Sequence, residues 1–196
     1  GATASGQQHF VSARRYQPVR AVQATRIEPG CHFQRDDHVA GEVPVALVYN
    51  GVSHAVMLAT PADLEDFAVG FSLGEGIIDT PEQCDLVEVR EGDDGIAIQM
   101  AVPADCFRRL DERRRSLPGA GGCGLCGSES LAEVMRLPAP VQAPAVDAAG
   151  ICAAFDALHD AQPLNARCHG LHAAGFATHA GELRLVREDV GRHNAL

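Results

Sequence analysis

VPVALVYNGVSHAVMLAT, residues 43–60, consists of two apolar runs rich in β-branched residues on either side of Asn50-Gly51. This dipeptide accepts the positive φ angles of a type I′ turn, so the stretch predicts a β-hairpin. Because both runs are almost continuously apolar, we expect both faces of the hairpin to be covered by other elements.

The sequence after this hairpin alternates between helix and strand patterns. Thr60-Pro61 predicts the start of a helix, with Thr60 as its cap and Phe67 on its apolar face. The runs CDLVEVR and GIAIQMAV predict a second hairpin, and ADCFRRLDERRR predicts a second helix. Asp147 caps a predicted helix over AAGICAAFDALHDAQ, and the strands LHAAGFAT and LRLV lead into REDVGRHNAL. Hairpins interspersed with helices indicate an α/β (α+β) protein with a mixed sheet flanked by helices.

Changes in composition divide the chain into four segments. Residues 1–37 are polar and weakly patterned, which predicts a flexible or weakly ordered segment with one strand at VRAVQATRI. Residues 38–118 are expected to form a subdomain of hairpins and helices. Residues 119–130 are expected to form a mobile glycine-rich loop, and residues 131–196 the start of a second core.

The overall composition restricts the class of function. The chain has 196 residues, of which 46% are hydrophobic, enough for one domain or one and a half. A net charge of −10 argues against general nucleic-acid binding, which needs a cationic surface. No apolar run reaches the roughly 20 residues that cross a bilayer, and GATASGQQHF at the N-terminus has no signal-peptide pattern. We therefore expect a cytoplasmic protein that binds neither nucleic acid nor a membrane.

Two of the seven cysteines, Cys123 and Cys126, form a CxxC pair within GAGGCGLCGSES, residues 119–130. A structural zinc ion needs four ligands, and the chain has no second CxxC pair. A redox dithiol favours a helix N-terminus, which the surrounding glycines oppose. A sulfur carrier needs a mobile, accessible thiolate, and the nearby arginines at 113–115 favour the thiolate form. The pattern favours a sulfur carrier, and the zinc and redox interpretations stay open.

Four blocks, in order, make the sequence similar to a known family: VPVALVYNGVSHAVMLATPADLEDFAVGFSLGEGII, ERRRSLPGAGGCGLCG, HAAGF and EDVGRHNAL. From about residue 40 to residue 196 the chain resembles the formate dehydrogenase accessory sulfurtransferase family (FdhD). The resemblance implies a cytidine-deaminase-like fold and transfer of sulfur from a cysteine desulfurase to a molybdenum bis(guanine dinucleotide) cofactor, which then enters the formate dehydrogenase catalytic subunit. It implies that Cys123 carries the persulfide and that Cys126 is the second cysteine of the motif. Members of the family continue past GRHNAL, so it also implies that the C-terminal part of the usual fold is missing here.

The candidates for binding the guanine-nucleotide cofactor are His172, Asp189, Arg192 and His193. His172 lies where a deaminase places a metal ligand, but Ala174 stands where the catalytic Glu of an HxE motif would be, so deamination is disfavoured. A hydrogen-bonded histidine at a strand edge is the other interpretation. The last three candidates lie where a loop enters a helix, which suits a phosphate. The residues alone favour an alternative in which Asp189 caps that helix and Arg192 pairs with Glu188; the resemblance favours the cofactor site.

Three functional hypotheses follow from the sequence. The first is the sulfurtransferase, with the molybdenum cofactor as a bound substrate and no permanent metal. The second is a non-catalytic chaperone that holds the guanine-nucleotide cofactor for formate dehydrogenase. The third is a CxxC zinc or redox protein. A hairpin-rich sheet with exposed edges would suit a homodimer.

Overall fold

The computed structural model describes residues 15–116, 140 and 147–196. Within these residues the chain forms strands, α-helices and one short 3₁₀-helix, Pro81–Gln83. The predicted mixed α/β class is confirmed, because a sheet with both parallel and antiparallel pairs packs against helices.

The first element is a long antiparallel hairpin formed by β1 (Val19–Glu28) and β2 (Cys31–Ala40). The turn between the strands contains Pro29 and Gly30, and Gly30 has a φ of 84°, as the third residue of a type II turn requires. The sequence predicted a weakly ordered segment over residues 1–37, with a strand only in the region of β1. The strand at VRAVQATRI is confirmed, and the structure differs over residues 31–37, because the Pro-Gly turn pairs the polar residues of β2 with β1.

A four-stranded sheet follows, with the strand order β4-β3-β6-β5. Strands β3 (Val43–Tyr49) and β4 (Val52–Ala59) form the hairpin predicted from Asn50-Gly51, whose φ angles are 49° and 81°. Strands β5 (Asp85–Glu91) and β6 (Ile96–Ala101) form the second predicted hairpin. Strands β3 and β6 join the two hairpins in parallel, which converts two local units into one sheet.

The main core lies on one face of this sheet. Val45, Leu47 and Ile98 are fully buried there. Helices α1 (Leu64–Gly74) and α2 (Ala104–Ser116) contribute Ala68 and Leu110 to the same cluster. Full burial of a Val, Leu or Ile side chain stabilises the fold by about 1.5–3 kcal/mol relative to leaving it exposed.

The opposite face of the sheet is open in the part of the chain that the structure describes. Val56 is 63% exposed and Leu58 is 57% exposed on β4. The expectation that both faces of the β3–β4 hairpin are covered is therefore not met among these residues. A continuous apolar pattern indicates that both faces of a strand carry apolar side chains. It does not indicate whether a helix covers each face.

The C-terminal region contains a separate two-stranded sheet, β7 (His172–Ala177) and β8 (Leu183–Asp189), with three helices around it. The helices are α3 (Ala148–Asp160), α4 (Asn165–Cys168) and α5 (Arg192–Ala195). Helix α3 begins as predicted, because Asp147 Oδ1 accepts a hydrogen bond from Gly150 N at 2.6 Å. None of the helices in the described part of the chain has the length and apolar character needed to cross a membrane.

Candidate functional site

The predicted sulfur-carrying residues, Cys123 and Cys126, lie outside the described residues, as does the whole predicted loop over 119–130. Their roles therefore stay predictions. Helix α2 leads toward this segment and ends at Ser116. The structure describes the predicted cofactor-binding residues in full.

Those four residues meet at one end of the β7–β8 hairpin. His172, the first residue of β7, lies opposite Asp189, the last residue of β8. Arg192 and His193 begin α5, which contacts both strands. The register of the two strands thus brings His172 to three residues that are close to one another in sequence.

Asp189 is almost completely buried, with 6% exposure, and both of its carboxylate oxygens accept hydrogen bonds from the protein. Oδ1 accepts from Gly191 N at 2.7 Å and from Asn194 Nδ2 at 2.9 Å. Oδ2 accepts from Thr60 N at 2.8 Å. Burial raises the pKa of Asp189 above its ordinary value, and these hydrogen bonds and the nearby His172 oppose the rise. With all of these contacts made inside the protein, Asp189 organises the site instead of facing solvent.

Two further hydrogen bonds extend this arrangement to β4. Thr60 Oγ1 accepts from Val190 N at 3.1 Å, so Thr60 and the end of β8 bind each other in both directions. Asn194 Nδ2 also donates to Leu58 O at 2.9 Å. We call the set Thr60, Asp189 and Asn194, with their backbone partners, the Asp189 network. It joins the end of β4, the end of β8 and helix α5.

Thr60 therefore has a different role from the helix cap that the sequence predicted. Helix α1 begins at Leu64, after Asp63, which has a left-handed backbone (φ 46°) and forms no side-chain cap. Thr60 instead bonds a residue 130 positions away. A local capping pattern cannot distinguish these outcomes, because the competing partner is brought close only by the tertiary fold.

Glu188 does not pair with Arg192, as one alternative for this segment assumed. Its two carboxylate oxygens accept hydrogen bonds from Leu164 N at 3.0 Å and Asn165 N at 2.7 Å, at the start of α4. Glu188 itself is 8% exposed, and these are part-buried hydrogen bonds to a carboxylate. Arg192 is consequently not neutralised by Glu188.

His172, Arg192 and His193 form an exposed group that we call the basic surface. Arg192 makes no ion pair with any other described residue. A guanidinium presents a planar set of donors that matches phosphate oxygens, and histidines add positive charge as they protonate. The basic surface can therefore bind an anion such as a phosphate group.

A second contact joins β8 to α1 beside this site. Arg187 Nε donates to Asp66 Oδ2 at 2.6 Å and lies 3.6 Å from a carboxylate oxygen of Asp63. Both acidic side chains are about half exposed, so this ion pair contributes little to stability.

No group of three or more His, Cys, Asp or Glu side chains in the described ranges has an arrangement that could hold a metal ion. Because Cys123 and Cys126 lie outside these ranges, the expectation of no permanent metal stays a prediction.

The sequence interpretation missed two residues of the site, Thr60 in its actual role and Asn194. The Thr60 hydroxyl accepts a hydrogen bond from Val190 N, and the Asn194 side-chain amide donates to Leu58 O. Neither role has a local signal in the sequence, because the backbone partners Leu58 and Val190 are 136 and 130 positions away.

Comparison with known proteins gives consistent similarities. Residues 40–196 match the family model described as the FdhD/NarQ family. The chain is 56% identical over 161 residues to the sulfur carrier protein FdhD of Cupriavidus necator, and 52% identical over 161 residues to that of Xanthomonas campestris pv. campestris. Each alignment covers 82% of this chain, and 56% and 57% of the respective relatives. The chain thus spans a little over half the length of these curated relatives.

A solved structure gives a similar result for the fold. The crystal structure assigned to a formate dehydrogenase accessory protein from Desulfotalea psychrophila matches with a TM-score of 0.66 and 25% sequence identity. The match covers 91% of this chain and 65% of that one.

Proposed function

The chain belongs to the FdhD/NarQ family, and from this premise we propose that it is a sulfurtransferase that carries persulfide sulfur during the maturation of formate dehydrogenase. The donor is a cysteine desulfurase, and the acceptor is a molybdenum bis(guanine dinucleotide) cofactor, bound as substrate. The observation that carries this proposal is the family match over residues 40–196, because this range includes both cysteines of the CxxC pair. The relatives' name, sulfur carrier protein, supports the same role.

Cys123 is the proposed carrier. Its thiolate attacks the terminal sulfur of the desulfurase persulfide, the sulfur–sulfur bond of that persulfide breaks, and the desulfurase cysteine leaves as a thiolate. The product is a persulfide on Cys123. This step only moves a sulfane sulfur atom between two cysteines, so neither protein is oxidised overall.

Cys126 is the proposed resolving residue. Its thiolate attacks Sγ of Cys123, a Cys123–Cys126 disulfide forms, and the terminal sulfur leaves as hydrosulfide at the acceptor. The two cysteines together lose two electrons and the sulfane sulfur gains them, so the step balances without another reductant. The short CxxC spacing supports this role because the two thiols are three positions apart.

The basic surface is the proposed binding site for the phosphate groups of the cofactor's guanine nucleotide. Its support is the exposure of Arg192 and His193, together with the occupation of Glu188 and Asp189 by internal donors. Charge-assisted hydrogen bonds from Arg to phosphate are the strongest contacts that this surface offers. The same support is compatible with the chaperone hypothesis, so the experiment must separate the two.

Intact-mass spectrometry after incubation with a cysteine desulfurase and cysteine tests the sulfur transfer. Wild-type protein should gain about 32 Da, one sulfur atom, and Cys123→Ala should gain none. Cys126→Ala should still gain the sulfur, and should release less of it as hydrosulfide. Cys31→Ala is the control, because Cys31 is an exposed cysteine on the β1–β2 hairpin and should not affect loading.

Other outcomes favour the other hypotheses. Loading of Cys123→Ala to the wild-type level would refute the assigned carrier. Full formate dehydrogenase maturation by the double variant Cys123→Ala/Cys126→Ala would favour the non-catalytic chaperone. Stoichiometric zinc in freshly purified protein would favour the CxxC metal site.

A further inference from the structure

Helix α5 has an outer and an inner side with different contacts. Arg192 and His193 are exposed, whereas Ala195 is 5% exposed and the Asn194 side chain bonds to protein acceptors. We propose that Thr60, Asp189 and Asn194 are positioning residues, which hold α5 so that the basic surface faces the phosphate groups of a guanine nucleotide. The inference rests on the nucleotide-binding part of the proposed function and adds the residues that set its geometry.

The helix itself is too short to determine its own orientation. It has four residues, and Asn194 N and Ala195 N donate to Gly191 O at 3.0 and 3.1 Å. Forming the first turn of a helix is unfavourable in isolation, because many dihedral angles are fixed for each hydrogen bond gained. The direction of Arg192 and His193 must therefore be set by contacts outside the helix.

Asn194 makes the contacts that fix the rotation of α5 about its axis. Its Nδ2 atom donates to Leu58 O and to Asp189 Oδ1, both at 2.9 Å. The amide is thus held between the edge strand β4 and the end of β8. A side chain fixed at one position of a helix also fixes the directions of residues one and two positions earlier.

Asp189 and Thr60 hold the point from which α5 starts. Asp189 accepts from Gly191 N directly before the helix, and Thr60 accepts from Val190 N. Thr60 N in turn donates to Asp189 Oδ2. Every one of these contacts is internal, so the network reaches a bound phosphate only through the residues that it holds.

Gly191 offers a way to displace the network without changing any charge. A Cβ atom placed on Gly191 would lie 2.8 Å from Asn194 Nδ2 and 3.4 Å from Asp189 Oδ1. The first distance is shorter than real Cβ contacts, so Gly191→Ala should push the Asn194 amide away from its acceptors. The φ of Gly191 is −100°, so alanine adds no backbone strain there.

The test uses the 196-residue chain and guanosine diphosphate as the probe. Two variants disturb the network: Thr60→Val, which removes the acceptor of Val190 N with little change in volume, and Gly191→Ala. Thr60→Ser keeps the hydroxyl and should rescue binding. Asp66→Asn is the matched control, because it weakens a different contact of β8, the Arg187–Asp66 ion pair with α1, and leaves the network intact. Arg192→Ala removes a proposed phosphate ligand.

Affinity is measured by calorimetry at low and high salt, well below the melting temperature of each variant. Arg192→Ala should bind about tenfold more weakly and with less salt dependence, because one charge is lost. Thr60→Val and Gly191→Ala should bind about three- to tenfold more weakly, because the charged side chains of the basic surface are displaced. Their salt dependence should stay that of wild type, because no charge is removed. Thr60→Ser and Asp66→Asn should stay within about twofold of wild type.

The possible failures are distinguishable. If Arg192→Ala weakens binding but Thr60→Val and Gly191→Ala behave like Asp66→Asn, the positioning role is wrong and the basic surface stands. If wild type does not bind the probe, or if Arg192→Ala and His193→Ala bind as wild type does, the nucleotide site itself is wrong and the positioning role falls with it. Should Thr60→Val fail to fold, Gly191→Ala decides alone, since it removes no hydrogen-bonding group.

Discussion

The β1–β2 and β7–β8 hairpins are both two-stranded antiparallel sheets, but their polar side chains have different hydrogen-bond partners. The polar side chains of the first bond within the hairpin, as in Gln34 to Thr25 and Arg26 to Glu28. In the second, three consecutive residues of β8 each bond to a different element: Arg187 to α1, Glu188 to α4 and Asp189 to Thr60. A sheet of two strands is marginal by itself, so the second hairpin is positioned by the helices packed on it and by the bonds of Glu188 and Asp189.

This difference has a functional consequence. The β1–β2 hairpin leaves Ile27 72% exposed, its polar side chains bond within the hairpin, and helix α4 packs against β2. The end of the β7–β8 hairpin is held by the hydrogen bonds of Glu188 and Asp189, and that end carries the basic surface. Sites of precise geometry need support from the residues behind them, and in the β7–β8 hairpin side-chain hydrogen bonds to other elements supply it.

The largest expected effect comes from a matched pair of turn glycines. Gly181, near the start of β8, and Gly30, between β1 and β2, have almost the same φ, 83° and 84°. A Cβ atom on Gly181 would lie 2.5 Å from Gly150 O and 2.7 Å from Ala153 Cβ, whereas Gly30 has open space around it. Gly30→Ala should cost about 1–2 kcal/mol from left-handed backbone strain alone. Gly181→Ala should cost about 2–5 kcal/mol, since overpacking adds to the strain.

Urea unfolding of both variants measures the difference directly. Equal losses of unfolding free energy would mean that α3 moves away from the turn at no cost, and that the second hairpin is no more firmly held than the first.

The sequence predicted most of the local structure, and it did so where the determinants are adjacent in the chain. Asn50-Gly51 specified the β3–β4 turn, and Asp147 specified the start of α3. The parallel pairing of β3 with β6 was not predicted, because residues about 50 positions apart make it. Thr60 shows the same limit, since its local pattern suits a cap and the tertiary fold gives it another partner.

A second matched pair compares glutamates in the two hairpins. Glu188→Ala leaves two part-buried backbone N–H groups, at Leu164 and Asn165, without their acceptor, and should cost about 1–3 kcal/mol. Glu28→Ala removes only an exposed ion pair with Arg26 and should change stability by less than about 0.5 kcal/mol.

Hydrogen exchange of the α4 amides separates a local effect from a global one. Glu188→Ala should speed exchange at Leu164 and Asn165 more than elsewhere. If Glu28→Ala were as destabilising as Glu188→Ala, the contrast between internal and external bonding would be refuted.

The candidate site was predictable in its residue types and only partly in their roles. The sequence selected His172, Asp189, Arg192 and His193, and the structure brings them together. The sequence left open whether Asp189 bonds inside the protein or faces a ligand, because a polar residue at a strand end is compatible with both. Burial and hydrogen-bond partners decide that question, and both depend on residues 58–60.

The smallest expected effect is a difference in pH dependence between carboxylates of the two hairpins. Burial raises the pKa of Asp189 above 3.8, so the native state keeps its proton to a higher pH than the unfolded state does. The contribution of Asp189 to stability therefore falls as pH rises from about 3.8 through the raised value, with a slope of at most about 1.4 kcal/mol per pH unit for one proton. Asp37 on β2 has the opposite sign, because hydrogen bonds from Arg35 and from His38 N lower its pKa.

Unfolding free energies of Asp189→Asn and Asp37→Asn, each compared with wild type between about pH 3 and 6, check both signs. The difference for Asp189 should change above pH 3.8, with wild type losing relative stability as pH rises. For Asp37 the change should occur below pH 3.8, with wild type losing relative stability as pH falls. The ionised Asp189 carboxylate accepts three hydrogen bonds in the folded protein. Burying it costs free energy to the extent that these bonds stabilise the charge less than water does in the unfolded state. A flat difference for Asp189 would mean that they replace it completely, and that holding α5 in place carries no electrostatic cost.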